Sequence, residues 1–133
     1  SEVIYEDCRV PLNMILGKQG DGFRIAQERL GPGRIHHCMR WLGICERSFE
    51  LLVKRAATRE ISPGIYLGEK QMIQGFIAES RARIDAARLM VLNAAWLIEN
   101  HGMRAVRTDI SKIKYFTADV MLEPVYNGGS VSI

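Results

Sequence analysis

The sequence is short of the residues that build metal and redox centres. Its three cysteines, Cys8, Cys38 and Cys45, contain no Cys-x-x-Cys pair. An odd number without metal-type spacing reads as reduced thiols in an intracellular protein. The three histidines form no His-Glu-x-x-His pattern. His36 and His37 are adjacent, so on a helix they point about 100° apart and are badly placed to share one ion; no metal site is expected. A nucleophile elbow is also absent. No apolar run reaches the roughly 20 residues of a membrane span. Aromatics are sparse, at 8%, and the net charge is only +3, with arginines interleaved among acids, so no nucleic-acid face is expected. The start Ser1-Glu2-Val3 has neither signal-peptide nor transit-peptide character. It reads as the middle of a strand, with the expectation that the chain begins partway through a larger protein.

What is present is helical periodicity. With 133 residues, 47% apolar and 25% charged, the chain is one domain's worth with enough apolar material for one core. Residues 1–12 carry Val3, Ile4, Tyr5 and Val10 before Pro11 and predict a strand or extended arm. Asp21 can cap a short helix through Leu30, with Phe23, Ile25 or Ala26, and Leu30 turned inward. Gly31-Pro32-Gly33 is expected to break it. A second helix, about Arg34 to Thr58, has the stripe Ile35, Met39, Leu42, Cys45, Phe49, Leu52 and Ala56. Arg59 to Gly68 reads as a loop, because Pro63 and two glycines fall within it.

The third helix, about Glu69 to Asn100, has the clearest pattern. Ile73, Ile77, Ser80, Ile84, Ala87, Val91, Ala94 and Ile98 alternate steps of four and three. At 1.5 Å rise per residue it would be roughly 45 Å long, which calls for partners along its length. Gly102 supplies its stop. The fourth helix, about Arg104 to Leu122, repeats the seam with Val106, Ile110, Ile113, Thr117 and Val120, and Glu123-Pro124 is expected to end it. The expected fold is all-α: an antiparallel, up-and-down helical bundle preceded by an extended strand. The expected division is residues 1–14 as terminal strand and linker, 15–122 as bundle and 123–133 as a divergent tail.

The run from Gly31 to Arg40 places an arginine, Arg34, immediately after a Gly-Pro-Gly breaker. A guanidinium there can meet an anion, and its planar fork suits phosphate. Arg59, at the other end of the same predicted helix, is the second candidate. The remaining basic residues of that helix, set against Glu46 and Glu50, read as a solvated face. The run Gly17-Lys18-Gln19-Gly20-Asp21-Gly22 lacks both the dinucleotide-binding and the Walker spacing. By pattern alone the chain is a helical bundle with anion-binding arginines at helix ends.

The ordered set Arg9-Val10-Pro11, Leu16-Gly17, Gly20-x-Gly22-Phe23, Ala26, Leu30 and Gly33-Arg34 resembles the acyl-CoA dehydrogenase family, where its β-domain passes into its C-terminal helical domain. Gly43, Arg59, Gln71-x-Ile73-Gln74, Ala78, Ala87-Arg88, Ala94-Ala95 and Ile113-Lys114 continue the likeness, which covers about residues 3–121. The variant Gly-Arg-Ile-His-His-Cys-Met-Arg is similar to the branch holding family members ten and eleven.

The resemblance implies an FAD-dependent oxidoreductase that oxidises acyl-CoA to trans-2-enoyl-CoA in fatty-acid β-oxidation. It implies that Arg34 contacts the CoA part of the thioester. The acid that usually assists three residues earlier is Gly31 here. Arg59, Lys70 and Gln71 are implied to approach the FAD of a neighbouring subunit, with Gly128 and Gly129 as the remnant of a flavin-holding loop. One family position of the catalytic base aligns with Gly33, which has no ionisable group, and the other falls beyond the matching region. The resemblance therefore implies no catalytic residue in this chain, and a chain inactive alone. Homodimer or tetramer assembly through the long helices is implied, and the alternative reading is a non-catalytic helical oligomerisation module. The implied location is mitochondrial if the source is eukaryotic and cytoplasmic if bacterial.

Overall fold

The computed structural model describes the backbone of residues 1–132 and the side chains through Leu122. The fold is all-α apart from one tiny sheet. Its elements are α1 (Gly22–Thr58), β1 (Glu60–Ser62), β2 (Ile65–Tyr66), α2 (Gln71–His101) and α3 (Arg107–Ser132), with short 3-10 turns at Leu12–Met14 and Leu67–Glu69. By compactness the chain divides into two units, Ser1–Leu30 and Gly31–Ile133.

The first unit corrects two expectations. Residues 1–11 form no strand, because a strand needs a pairing neighbour that this unit does not supply. Asp7 takes a left-handed φ of 47°, a conformation that Asp tolerates better than most residues. Asp21 precedes α1 as expected, but its Oδ2 accepts from the Lys18 amide at 3.2 Å and from Arg24 at 2.8 Å. The inward-facing residues are also revised: Phe23 is 78% exposed and Leu30 is exposed, while Ile25 is half-buried.

Gly31-Pro32-Gly33 does not end the helix. α1 runs unbroken from Gly22 to Thr58 with Pro32 inside it. Proline's ring fixes φ near the helical value, so it costs the helix a hydrogen bond and some crowding without forbidding its path. Gly31 has its own reason to be glycine: a Cβ there would lie 2.9 Å from Sδ of Met103. The residue read as a breaker is a point of close packing. Among the described residues the helices are therefore three, where four helical segments are expected.

In the second unit the core follows the predicted seams closely. Leu42, Cys45, Leu52 and Ala56 of α1 are buried, as are Ile73, Ser80, Ile84, Ala87, Val91 and Ala94 of α2 and Val106, Ile110, Ile113, Thr117 and Val120 from the third seam. One position moves. Cys38 is fully buried and Met39 is 39% exposed, so the α1 stripe turns inward one residue earlier than predicted. Cys38 and Cys45 lie in the main cluster, and burial pushes the Cys45 thiol up to about 11. Thr117 meets its polar requirement inside its own helix, donating to the Ile113 carbonyl at 2.6 Å.

The segment after α1 is more ordered than a loop. β1 and β2 pair antiparallel, Glu60 with Tyr66 and Ser62 with Ile65. Pro63-Gly64 fits the centre of the turn, because Gly64 takes φ 73°, where a side chain would strain the backbone. α2 ends where expected, at Gly102 with φ 78°. α3 starts at Arg107, three residues later than predicted, and its bounds carry past Glu123-Pro124, the expected stop.

Candidate functional site at the end of the first long helix

Backbone hydrogen bonds bring three of the predicted residues together. Arg59 continues the last turn of α1, its amide donating to the Arg55 carbonyl at 2.9 Å. The hairpin then returns the chain, and the Leu67 amide donates to the Arg59 carbonyl at 2.8 Å. The Lys70 amide donates to the Leu67 carbonyl at 3.1 Å, and α2 begins with Gln71. Gly68 fits because the turn passes so near α1 that a Cβ would lie 3.1 Å from the Ala56 carbonyl oxygen. Gln74 anchors it, donating to the Gly68 carbonyl at 3.0 Å.

This junction sets the cations Arg59 and Lys70 beside two acids that are already engaged, Glu60 accepting from the Gly64 amide and Glu69 from the Tyr66 amide. No acid stands in the first turn of α2, and no side chain caps its amides. The positive end of a 31-residue helix is thus exposed beside Arg59 and Lys70, both on the surface. Arg55, one turn before Arg59 and half-buried, has a buried Nε with no hydrogen-bond partner among the described residues. Such a donor set can hold an anion with several oxygens, a phosphate or pyrophosphate above all.

Arg34 stands apart. It is half-buried on α1, in the turn after Pro32, and no ion pair is formed by it among the described residues. From Arg34 to Thr58 the helix rises roughly 36 Å, so Arg34 and the Arg59 junction are too far apart to contact one phosphate group. A Cβ at Gly33 would meet nothing within 4 Å. Gly128 and Gly129 lie outside the residues whose side chains are described. No group of three or more His, Cys, Asp and Glu placed to hold a metal occurs among the described residues. No helix there is long and apolar enough to cross a membrane.

The strongest electrostatic feature is one that sequence reasoning missed. Glu46 does not sit on a solvated face. Both its oxygens accept from Arg81 of α2, at 2.8 and 2.9 Å, and Arg88 of α2 also donates to it. These bonds, Arg81's first, hold the Glu46 carboxyl down at about 2 although its partial burial acts the other way. Arg81 is raised in turn by Glu46 and then Asp85, and its guanidinium lies 5.1 Å from the centre of the Phe49 ring. Arg83 pairs with Asp119, tying α2 to α3. The signal was in the spacing: Glu46, Arg81 and Arg88 each lie beside a core position, where a charge can reach across to the next helix. Arg40 meets His37 Nδ1 at 2.9 Å, and the His37 and Trp41 rings lie 6.1 Å apart.

Long helices packed about one core, with Arg59 and Lys70 at the junction of α1 and α2, define an all-α helical domain. The family described as acyl-CoA dehydrogenase, C-terminal domain, matches residues 20–125. The chain belongs to that family. It is 49% identical over 113 residues to "Probable acyl-CoA dehydrogenase FadE2" of Mycobacterium tuberculosis, covering 85% of this chain and 28% of that protein. It is 45% identical over 125 residues to acyl-CoA dehydrogenase family member 11 of Gallus gallus, covering 93% of this chain and 16% of the relative. A solved structure described as the electron transferring flavoprotein of Acidaminococcus fermentans superposes with a TM-score of 0.87 and 36% identity. That match covers 96% of this chain and 33% of the other. The chain thus spans a third or less of each of these proteins.

Proposed function

We propose that this chain is the helical domain of an FAD-dependent acyl-CoA dehydrogenase, an enzyme converting acyl-CoA to trans-2-enoyl-CoA. Membership of the family over residues 20–125 is the observation that carries the reading. Arg34 is the residue for the phosphate-bearing CoA portion: it is cationic, half-buried and not engaged by a carboxylate. Arg59 and Lys70, with Gln71 and the uncapped start of α2, are the residues for the flavin nucleotide of a neighbouring subunit. The fit is chemical, since the junction offers Arg59, Lys70 and uncapped amides, while its acids Glu60 and Glu69 already accept from backbone amides. When bound, FAD supplies the hydride acceptor for the substrate's β-carbon.

The proton half of the reaction needs a base near the α-carbon. Gly33 offers none, and no other residue described here takes its place in this reading. We therefore expect the 133-residue chain to bind CoA without turning over acyl-CoA. Equilibrium dialysis with CoA should show saturable binding that Arg34→Ala weakens roughly tenfold or more, as the loss of a charge-assisted hydrogen bond would. Equal affinity of the variant would remove Arg34 from the site. Turnover of a saturated acyl-CoA by the chain with added FAD and an electron acceptor would overturn the inactive reading. The length of α2 favours a further element of the proposal, assembly into a homodimer or tetramer through the long helices.

A further inference from the structure

α1 carries a second seam besides the one that enters the core. Cys38, Leu42, Cys45 and Leu52 are buried. Round the helix from them, Trp41, Ile44, Ser48 and Leu51 follow one another at steps of three, four and three. Ile44 is 49% and Leu51 50% exposed, while Trp41 and Ser48 are half-buried. Arg40, Arg47 and Lys54 flank this line at intervals of seven residues, all on the surface. Seven residues along a helix return to nearly the same side, so the cations form one row, about 10.5 Å apart. No acid belongs to the row. Glu46 is turned to the arginines of α2, and Glu50 reaches Arg47 only from the edge, at 3.5 Å. Arg40 meets a neutral or cationic neighbour, His37.

Between Arg40 and Arg47 the surface is hollowed. An open dent of about 430 Å³ is lined by these two arginines with Gly43, Ile44 and Ser48. Gly43 contributes no side chain to fill it, and a Cβ there would meet no neighbouring atom. Each feature narrows the occupant. A line at three-four spacing is what a second helix needs, because its own side chains return with the same period. A lipid surface imposes no such repeat. The cations stand where the flanking charges of paired helices stand, the charges that choose the partner. Three cations choose acids. The dent then takes one large apolar side chain between two ion pairs, an anchor ringed by polar contacts.

We propose that this face of α1, centred on Ile44, docks an acidic amphipathic helix of a separate partner protein. The partner crosses α1 at a shallow angle, about 20°, and seats an apolar residue over Gly43. Its acids, seven residues apart, meet Arg40, Arg47 and Lys54. The surface uses neither Arg34 nor the Arg59 junction, so it goes beyond the oxidoreductase reading. From Arg40 to Lys54 the helix rises about 21 Å, a short contact of the weak, transient class. Its affinity therefore depends on exposed ion pairs and falls as salt rises.

A fluorescent synthetic helix with Leu along its seam and Glu beside it should bind the 133-residue chain saturably, read by anisotropy. The same peptide with Lys in place of Glu should not bind. Arg40→Glu, Arg47→Glu and Lys54→Glu together should weaken the acidic peptide roughly tenfold or more and admit the Lys peptide. An equal change of net charge elsewhere, Arg104→Glu, Arg107→Glu and Lys114→Glu on exposed residues, should leave the preference for acid intact. Ile44→Asp should abolish binding of the acidic peptide. Circular dichroism checks that each variant keeps its helices. No binding, equal binding of the two peptides, or a reversed row that still prefers acid overturns the proposal. Two other occupants would also overturn it. Attachment to phosphatidylserine vesicles without affinity for the acidic peptide assigns the face to a lipid surface. A dimer in sedimentation that Ile44→Asp dissolves assigns it to a second copy.

Discussion

Glu46 shows how one side chain can bind two helices into a single layer. A carboxylate of α1 takes bonds from two arginines of α2, and a well-formed bidentate pair of this kind is stronger than a scattered surface pair. Its carboxyl ionises at about 2 in the fold against an ordinary 4.5. A depressed carboxylate adds stability that is complete above the ordinary value and is lost as pH falls through the folded one. Replacing it by Gln should therefore cost about 1–2 kcal/mol at pH 7, a figure discounted for its contact with solvent. It should also flatten the fall in stability between pH 4.5 and 2. Urea unfolding at pH 7, 4 and 3 checks this, and parallel losses in parent and variant would refute the assignment. At this scale the core was legible because burial leaves a period: Ile84, Val91 and Ile113 were all expected inside. The ion pairs were not, because a charge beside a core position looks the same in sequence whether it faces water or the next helix. Cys38 took the place of Met39 for a related reason, as two adjacent apolar residues leave the helix free to turn either one inward.

Among the elements, α2 was read almost to its ends, and α1 was cut in two at a place where it is continuous. Pro32 and its flanking glycines are genuine disruptors of an isolated helix, but propensity yields to packing. Met103 seated on the bare backbone of Gly31 is packing that only the fold reveals. The hairpin went unread because its strands are two and three residues long, too short for alternation to show. Gly102 was legible, and its conformation makes a sharp test. At φ 78° and ψ 162° it occupies a region essentially closed to side chains, while a Cβ there would meet no neighbouring atom. Gly102→Ala should thus destabilise by about 1–3 kcal/mol through backbone strain alone. Denaturant unfolding measures the loss; a variant as stable as the parent would show that the α2–α3 connection can re-form another way.

For the whole molecule, family and fold were the most legible properties, since long three-four seams and scattered motifs such as Gly33-Arg34 and Gln71-x-Ile73-Gln74 survive as pattern. The candidate site was only partly legible. Sequence singled out Arg34, Arg59, Lys70 and Gln71 as candidates, but not that the carbonyls of Arg59 and Leu67 draw the last three into one junction, nor that one turn before Arg59 the buried Nε of Arg55 has no partner among the described residues. Those facts depend on how the hairpin folds back, which local composition does not encode.

The three thiols divide the molecule by accessibility. Cys8 is open to solvent while Cys38 and Cys45 are sealed in the core, so reagents can reach the inner pair only when helices part. An alkylating probe at neutral pH should consume one thiol at once and the other two slowly, at a pace that follows the opening of the bundle and quickens with dilute denaturant. Mass spectrometry would count the adducts, and three equally fast ones would contradict the packing. The chain thus carries its own stopwatch for breathing motions, with one hand always running and two that start only when the protein lets go.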